Sequence, residues 1–286
     1  MPELLFNCDE TMLAPGKERL KILTRRGDPV PCVSEGPTGE HVTLLLGVSA
    51  SGDSLPPVVI FPLITVPPLD AEIVSKFAIA GQKSGWMDQD IFRNIIFNIY
   101  VPEIQKRRQA LDKLQAMAVI VYDGSSTHFG IDLVHLYNEH NILLWLLPPH
   151  TSAILQPLDL SVNGQLKKFL GANFKPIQGE SATDRRNRLL MMTKHGLDDA
   201  QRSFVIQRGW RRTGLWPVEP EEALGSDMID HDPERMPAPD AKKPKRGPRM
   251  VDGNVFFYGQ MMPSPPKIAP LEKENEIVEA EPILQF

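Results

Sequence analysis

Three aspartates stand at positions suited to joint chemistry. Asp9 follows the apolar run ELLFNC (3–8), Asp123 closes MAVIVYD (117–123), and Asp159 stands in LQPLDL (155–160) ahead of a helix-like stretch. Between Asp123 and Asp159 lie 35 residues, room for one helix, one strand and a loop that brings the chain back to the same end of a sheet. In open α/β sheets, sites gather at the carboxyl ends of strands. Three carboxylates brought together there repel one another unless a cation sits among them. Hard oxygen ligands with open positions suit Mg2+ (or Mn2+), which keeps waters and takes substrate phosphates. Two such ions activate an attacking oxygen and stabilise a leaving oxygen in phosphodiester chemistry. Each acid also has a plain structural reading: Asp9 as a turn cap, Asp123 as an Asx turn, Asp159 as a helix N-cap.

The surrounding elements decide whether the acids can meet. ELLFNC reads as a short strand ending at Asp9 and Glu10, and residues 11–40 are rich in Gly and Pro. HVTLLLGVSA (41–50) and PPVVIFP (56–62) form a hairpin pattern around SGDS. Residues 88–111 have helical apolar spacing through Ile91, Ile95, Ile96, Ile99 and Ile104, with a bend expected at Pro102. Then follow a buried strand (117–123), a helix (132–141), a strand (142–149), a helix with a basic stripe (160–174) and two helices within 185–217. This order predicts an α/β domain whose sheet begins antiparallel and continues parallel. Trp145, Trp210 and Trp216 are expected in its core, and Gln156 is expected to hold the loop before Asp159.

Composition narrows the class. The 286 residues carry a net charge of -5 and 42% hydrophobic residues, so most of the chain should fold around a full core. The charge is uneven: residues 159–216 hold 11 Lys and Arg against 5 acids, and residues 217–241 hold 1 against 8. The 2 cysteines, Cys8 and Cys32, exclude a disulfide framework and a four-thiolate zinc site. No apolar run reaches the ~18 residues of a membrane helix, and the start MPELLFNCDE lacks the basic region of a secretory signal. No membrane partner is expected. Residues 221–286 read as a disordered acidic, Pro-rich tail, with the basic run KKPKRGPR at 242–249.

The words around the acids carry more than their spacing. FNCDET (6–11), VYDGSSTH (121–128) and LPPHTSAILQPLDLSVNGQLKKF (147–169) resemble the three catalytic blocks of the DDE superfamily of transposases, in its pogo/Tigger branch with the Jerky-like and centromere-protein-B-like relatives. GVSASGDSLPPVVIF (47–61) and GWRRTGLWPVEP (209–220) are also similar to that branch, so the resemblance covers about residues 3 to 220. It implies a ribonuclease-H-like mixed sheet flanked by helices, with residues 1–220 as the catalytic domain. It implies that Asp9, Asp123 and Asp159 are the catalytic, metal-binding triad, with Mg2+ (or Mn2+) as cofactor. It also implies DNA cleavage and strand transfer, in which an activated water and later a DNA 3′ hydroxyl attack a phosphate.

Members of the family carry a helix-turn-helix domain ahead of these blocks, whereas Met1 here lies 8 residues before Asp9. The expectation is a catalytic domain without its DNA-reading domain, which weighs against autonomous, sequence-specific transposition. Of the remaining polar residues, His128 is a candidate for steadying a phosphate, against a capping or core histidine. Lys167 and Lys168, on the helix after Asp159, are candidates for DNA backbone contacts, against an ordinary solvated face. KKPKRGPR resembles a nuclear import signal, which makes the nucleus the expected location and an import receptor binding Lys242–Arg249 a partner beside DNA. A homo-oligomer is a further expected partner. The alternative reading is a catalytically silent, domesticated nuclear module that binds DNA or protein.

Overall fold

In the computed structural model the described residues are 1–13, 42–63, 65–66, 68–124, 131–175, 177–226, 229, 249–251, 254–257 and 260–261; of 131–132 and 249–261 only the backbone is described. Two compact units are present, Met1–Ser226 and Asp227–Phe286.

The first strand shows why the larger unit folds in layers. β1 (Leu5–Leu13) follows a short 3-10 turn at Pro2–Leu4. Its side chains alternate between faces. Phe6 and Cys8 enter one apolar cluster, and Leu13, with Leu5 packed beside it, enters another. Asn7, Asp9 and Thr11 share the parity of Leu5 and Leu13, so they belong to the second face.

β2 (Val42–Ser49) and β3 (Val58–Phe61) are the expected hairpin, paired antiparallel with Leu44 opposite Val59. α1 (Ala71–Lys76) and β4 (Ala78–Gly81) follow. The sequence carries no strand pattern at β4, because Ala-Ile-Ala-Gly has no alternation of polar and apolar residues. β4 is nonetheless a parallel edge strand beside β3.

α2 (Gln89–Ile95) begins under an Asp88 cap whose side chain accepts from the Ile91 N–H. It runs through a π turn at Ile96–Tyr100 into α3 (Val101–Ala110). The irregularity expected at Pro102 takes this form, one turn earlier, where the ring removes a backbone donor and leaves the ladder loose. β5 (Ala118–Tyr122), α4 (Ile131–Glu139) and β6 (Ile142–Leu146) complete the sheet. α5 (Ser152–Leu155), α6 (Val162–Asn173), α7 (Ala182–Ala200), α8 (Ser203–Arg212) and α9 (Pro220–Leu224) follow it.

The sheet order is β4-β3-β2-β1-β5-β6, antiparallel within β1, β2 and β3 and parallel from β1 through β5 to β6. This is the expected α/β class. One face is covered by α2, the π turn, α3 and α4 through Phe92, Ile96, Tyr100, Ile104 and Leu136. The other is covered by α1 and α6–α8 through Ile73, Leu166, Leu190, Leu197, Ile206 and Trp210. Trp210 is core as expected and Trp216 packs at its margin. Trp145 is not core: it is 48% exposed, because β6 is an edge strand and alternate residues on it face outward. No described helix is long and apolar enough to cross a membrane.

In the second unit the described residues form three short antiparallel strands, β7 (Arg249–Val251), β8 (Asn254–Phe257) and β9 (Gln260–Met261). The sequence reading assigned no strand there. Residues 242–248 of the basic run lie outside the described residues.

Candidate metal and nucleic-acid site

The acids are placed by β1 and β5 together. Asn7 pairs with Val121 at the end of the parallel ladder, and the same register extended by two residues sets Asp123 level with Asp9. Asp123 follows β5 directly. Asp9, however, does not end its strand. β1 continues to Leu13 because β2 pairs with it all the way, Asp9 opposite Leu46 and Leu13 opposite Val42. The turn-cap reading of Asp9 fails for that reason. Beyond the end of β5, one edge of β1 lies open. A cleft of about 310 Å3 occupies this place, lined by Asp9, Glu10, Thr11, Met12, Thr43, Trp86 and Asp123.

Asp159 arrives from the far side of β6. Because β6 is parallel to β5, with Leu146 beside Tyr122, the chain leaves β6 at the same end that carries Asp123. It then passes through α5 and a turn at 157–161. That turn is fixed from three directions. The Asn7 amide oxygen accepts from the Leu158 N–H at 3.0 Å, while its nitrogen donates to the Val121 carbonyl (3.0 Å) and to Gln156 Oε1 (3.2 Å). Gln156 is fully buried and its Nε2 donates to the Cys8 carbonyl at 3.4 Å, so it holds this loop as expected. On the outer side, α8 approaches so closely that a Cβ at Gly209 would stand 2.5 Å from the Pro157 carbonyl, and Arg212 donates to the Leu160 carbonyl at 3.1 Å. One buried asparagine thereby ties together the three segments that carry the acids. Asp159 is not an N-cap, since Ser161 precedes α6.

The contact between the acids comes from α6. Asn163 Nδ2 donates to Asp9 Oδ2 at 2.9 Å and to Asp159 Oδ1 at 3.1 Å. Its own Oδ1 is buried without a partner among the described residues. Burial raises the Asp9 pKa to about 7, and the Asp159 and Asp123 carboxylates push in the same direction, while a hydrogen bond from Gln156 opposes them. Asn163 was missed by the sequence reading. Its signal was its place, four residues after Asp159 in the first turn of the helix that follows that acid. Trp86, on the cleft wall, was also missed.

The donor set suits a divalent cation in part. Asp9 and Asp159 are hard oxygen donors held in mutual repulsion, with the partial positive charge of an amide between them where a cation would relieve it more fully. As the side chains stand, no group of three His, Cys, Asp or Glu among the described residues could enclose an ion. Asp123 lines the cleft with Asp9 but is not drawn in by Asn163.

Lys167 and Lys168 are exposed on α6, and Lys167 lies one turn beyond Asn163. His128 lies outside the described residues. Cys8 is buried, and burial pushes its thiol up to about 12, so it is an inert core side chain.

Comparison with known proteins bears on the family and the fold. The family described as DDE superfamily endonuclease matches residues 39–195, which include Asp123 and Asp159; Asp9 lies ahead of that span and is joined to the others by Asn7 and Asn163. "MFS-type transporter clz9" of Cochliobolus lunatus is 26% identical over 85% of this chain and 27% of its own length. "Jerky protein homolog" of Homo sapiens is 25% identical over 75% of this chain and 37% of its own. The chain thus spans about a quarter to a third of the curated relatives it matches. A pre-cleavage Mos1 transpososome is similar in fold, with a TM-score of 0.51 and 14% identity over 78% of this chain and 55% of that one. With its matching span covering more than half of the residues, and with a mixed sheet that brings the acid-bearing segments to one end, the chain belongs to the DDE superfamily endonuclease family.

Proposed function

We propose that the unit Met1–Ser226 is the catalytic domain of a transposase-related protein that cleaves and rejoins DNA, with Asp9, Asp123 and Asp159 as its catalytic acids. The observation that carries this reading is the Asn163 amide, which donates to Asp9 and Asp159 across 154 and 4 residues of sequence. A core asparagine has no structural need for two carboxylates, and two carboxylates this close are costly unless a cation is to join them.

Mg2+ or Mn2+, which Asp9, Asp123 and Asp159 would hold, would neutralise phosphate charge and activate an attacking oxygen there. The chain's own part is positional. β1 and β5 hold Asp9 and Asp123 at one level. Asn7 and Gln156 fix the Asp159 turn, and Asn163 orients both carboxylates it touches. Lys167 and Lys168 are proposed to contact DNA phosphates along α6, and His128 is proposed to join them. The run at 242–249 is proposed as an import signal that takes the protein to nuclear DNA.

A second reading has a specific observation in its favour: among the described residues no three ligands enclose an ion as they stand. On that reading the domain is a silent DNA-binding module. Nicking of supercoiled plasmid by the purified chain in Mn2+, with Asp123→Ala beside it, separates the two. Nicking by the native chain alone is expected. Equal nicking by both rejects the triad, and metal-independent DNA binding without nicking favours the silent module.

A further inference from the structure

The cleft beside the acids has a wall that the proposed chemistry leaves unused. Trp86 forms part of it and is 57% exposed, yet the backbone beneath it is firmly held. Gly85 has φ +72, a left-handed conformation that glycine adopts without strain. The Gly85 carbonyl accepts from the Thr43 hydroxyl at 2.8 Å in a buried bond, and the Gly85 N–H donates to Gln82 at 2.8 Å. The Trp86 N–H donates to Ser84 Oγ at 3.2 Å, and Met87 beside it is buried. A large aromatic ring is therefore presented outward by a pinned loop, next to carboxylates.

That combination has a chemical meaning. A carboxylate-lined cleft repels a polyanionic strand, so attraction inside it must come from a cation or from uncharged contacts. Stacking of an indole on a nucleobase needs no charge and tolerates any sequence, and each such contact strengthens binding roughly 5- to 150-fold. The ring reaches a base face only where that base is unpaired, because neighbours cover both faces within a duplex. At about 310 Å3 the cleft suits one nucleotide unit rather than a double helix. A second observation points to a ligand: Thr11 lines the same cleft, and its buried hydroxyl has no hydrogen-bond partner among the described residues.

We propose that Trp86 is a stacking platform for one unpaired nucleobase of the strand that enters the acid cleft, with the Thr11 hydroxyl as a hydrogen-bonding contact to that nucleotide. The inference rests on the reading of the protein as one that handles DNA, and it is tested apart from cleavage. The full chain is titrated, in Ca2+, against a fluorescein-labelled strand of twelve thymidines and against a strand of twelve abasic units, and anisotropy gives the Kd of each. Trp86→Ala should weaken binding to the thymidine strand about 5- to 150-fold and leave binding to the abasic strand unchanged, and Trp86→Phe should restore most of the loss. Because Trp86 lies outside the core, circular dichroism of each variant should match the native chain.

Equal binding by native chain and Trp86→Ala overturns the platform, and so does an equal loss on both strands. If the native chain binds neither strand, the platform and the DNA-handling reading fall together. If the platform result holds but Asp123→Ala nicks plasmid as the native chain does, the triad reading falls and the platform stands.

Discussion

At the amino end of β5, the buried Arg108 guanidinium donates to the carbonyls of Ala116 (2.9 Å), His140 (2.9 Å) and Asn141 (2.7 Å). At the carboxyl end, five residues of strand away, Asp9 and Asp159 share one asparagine amide, and Asp123 lines the cleft beside Asp9. Both ends take charge out of water, which is costly unless the charge is answered. Arg108, carried by α3, is answered in full by backbone oxygens of the loops that lead into β5 and β6. The acids are answered in part, by Asn163 and Gln156. The first end is arranged for the fold alone. The second holds charges of one sign in a way the fold does not need, and the missing counter-charge is what a ligand can bring.

The largest effect that tests this contrast is at Arg108. Arg108→Met should leave three carbonyls near the sheet short of a donor and cost on the order of 3 kcal/mol or more, read as the midpoint of urea unfolding. Arg108→Lys should recover less than half of that, because a single ammonium cannot reproduce the planar fork that reaches three acceptors. A loss below ~1 kcal/mol in Arg108→Met would show that this end is not held by its charge.

Asp9→Asn should have the opposite sign. It removes one of the crowded charges yet keeps an oxygen to accept from Asn163. Without divalent metal at pH 8, the melting temperature should rise by about 2–4 °C, the shift that ~1 kcal/mol gives in a domain of this size. The native chain should carry the matching pH dependence. Asp9 titrates near 3.8 when unfolded and near 7 when folded, so the folded state retains a proton across that interval. The stability contributed by neutral Asp9 is complete below about pH 3.8 and is lost as pH rises toward 7. Mg2+ competes with that proton, so the melting-temperature gain from 10 mM Mg2+ should grow between pH 6 and pH 8. Differential scanning fluorimetry reads both. A gain independent of pH, or equal in Asp9→Asn, would place the cation elsewhere.

The two ends also differed in how far the sequence disclosed them. The strand that ends in Asp123 is legible because MAVIVYD is an apolar run that stops at a carboxylate, and the hairpin is legible from its turn residues. Asp159 is legible through its motif and its return to the same sheet end. The length of β1 is not, because Asp9 and Glu10 look like a strand's end until β2 is seen to pair alongside them. Asn7 and Asn163 are hidden for a related reason: a buried asparagine reads as a loop residue until its partners, 114 to 154 residues away, are known. Arg108 reads as one more charge in QKRRQ, though its neighbour Arg107 is the one that reaches Ser49 and Ser54. Trp86 and Trp145 are exposed where aromatic content alone suggests core. What sequence conveys is which residues could act; which polar groups are buried together depends on contacts between distant segments.

The smallest effect sharpens the comparison at the surface. If DNA approaches only the acid end, a lysine there should count in binding and one at the other end should not. Lys167 lies one helical turn past Asn163, and Lys113 lies in the loop that leads into β5 beside Arg108. Both are exposed, so neither substitution should disturb folding by more than ~0.5 kcal/mol. A lysine that neutralises one phosphate releases about one counterion, so its loss lowers the slope of log affinity against log salt by ~0.9. Lys167→Ala should show that reduction in anisotropy titrations across a range of NaCl concentrations, and Lys168→Ala a smaller one, since it points about 100° further round the helix. Lys113→Ala should leave the slope as it is. Equal slopes for Lys167→Ala and Lys113→Ala would mean that DNA meets the domain without regard to the acids. The cleft would then hold unanswered charge for some reason other than a passing phosphate.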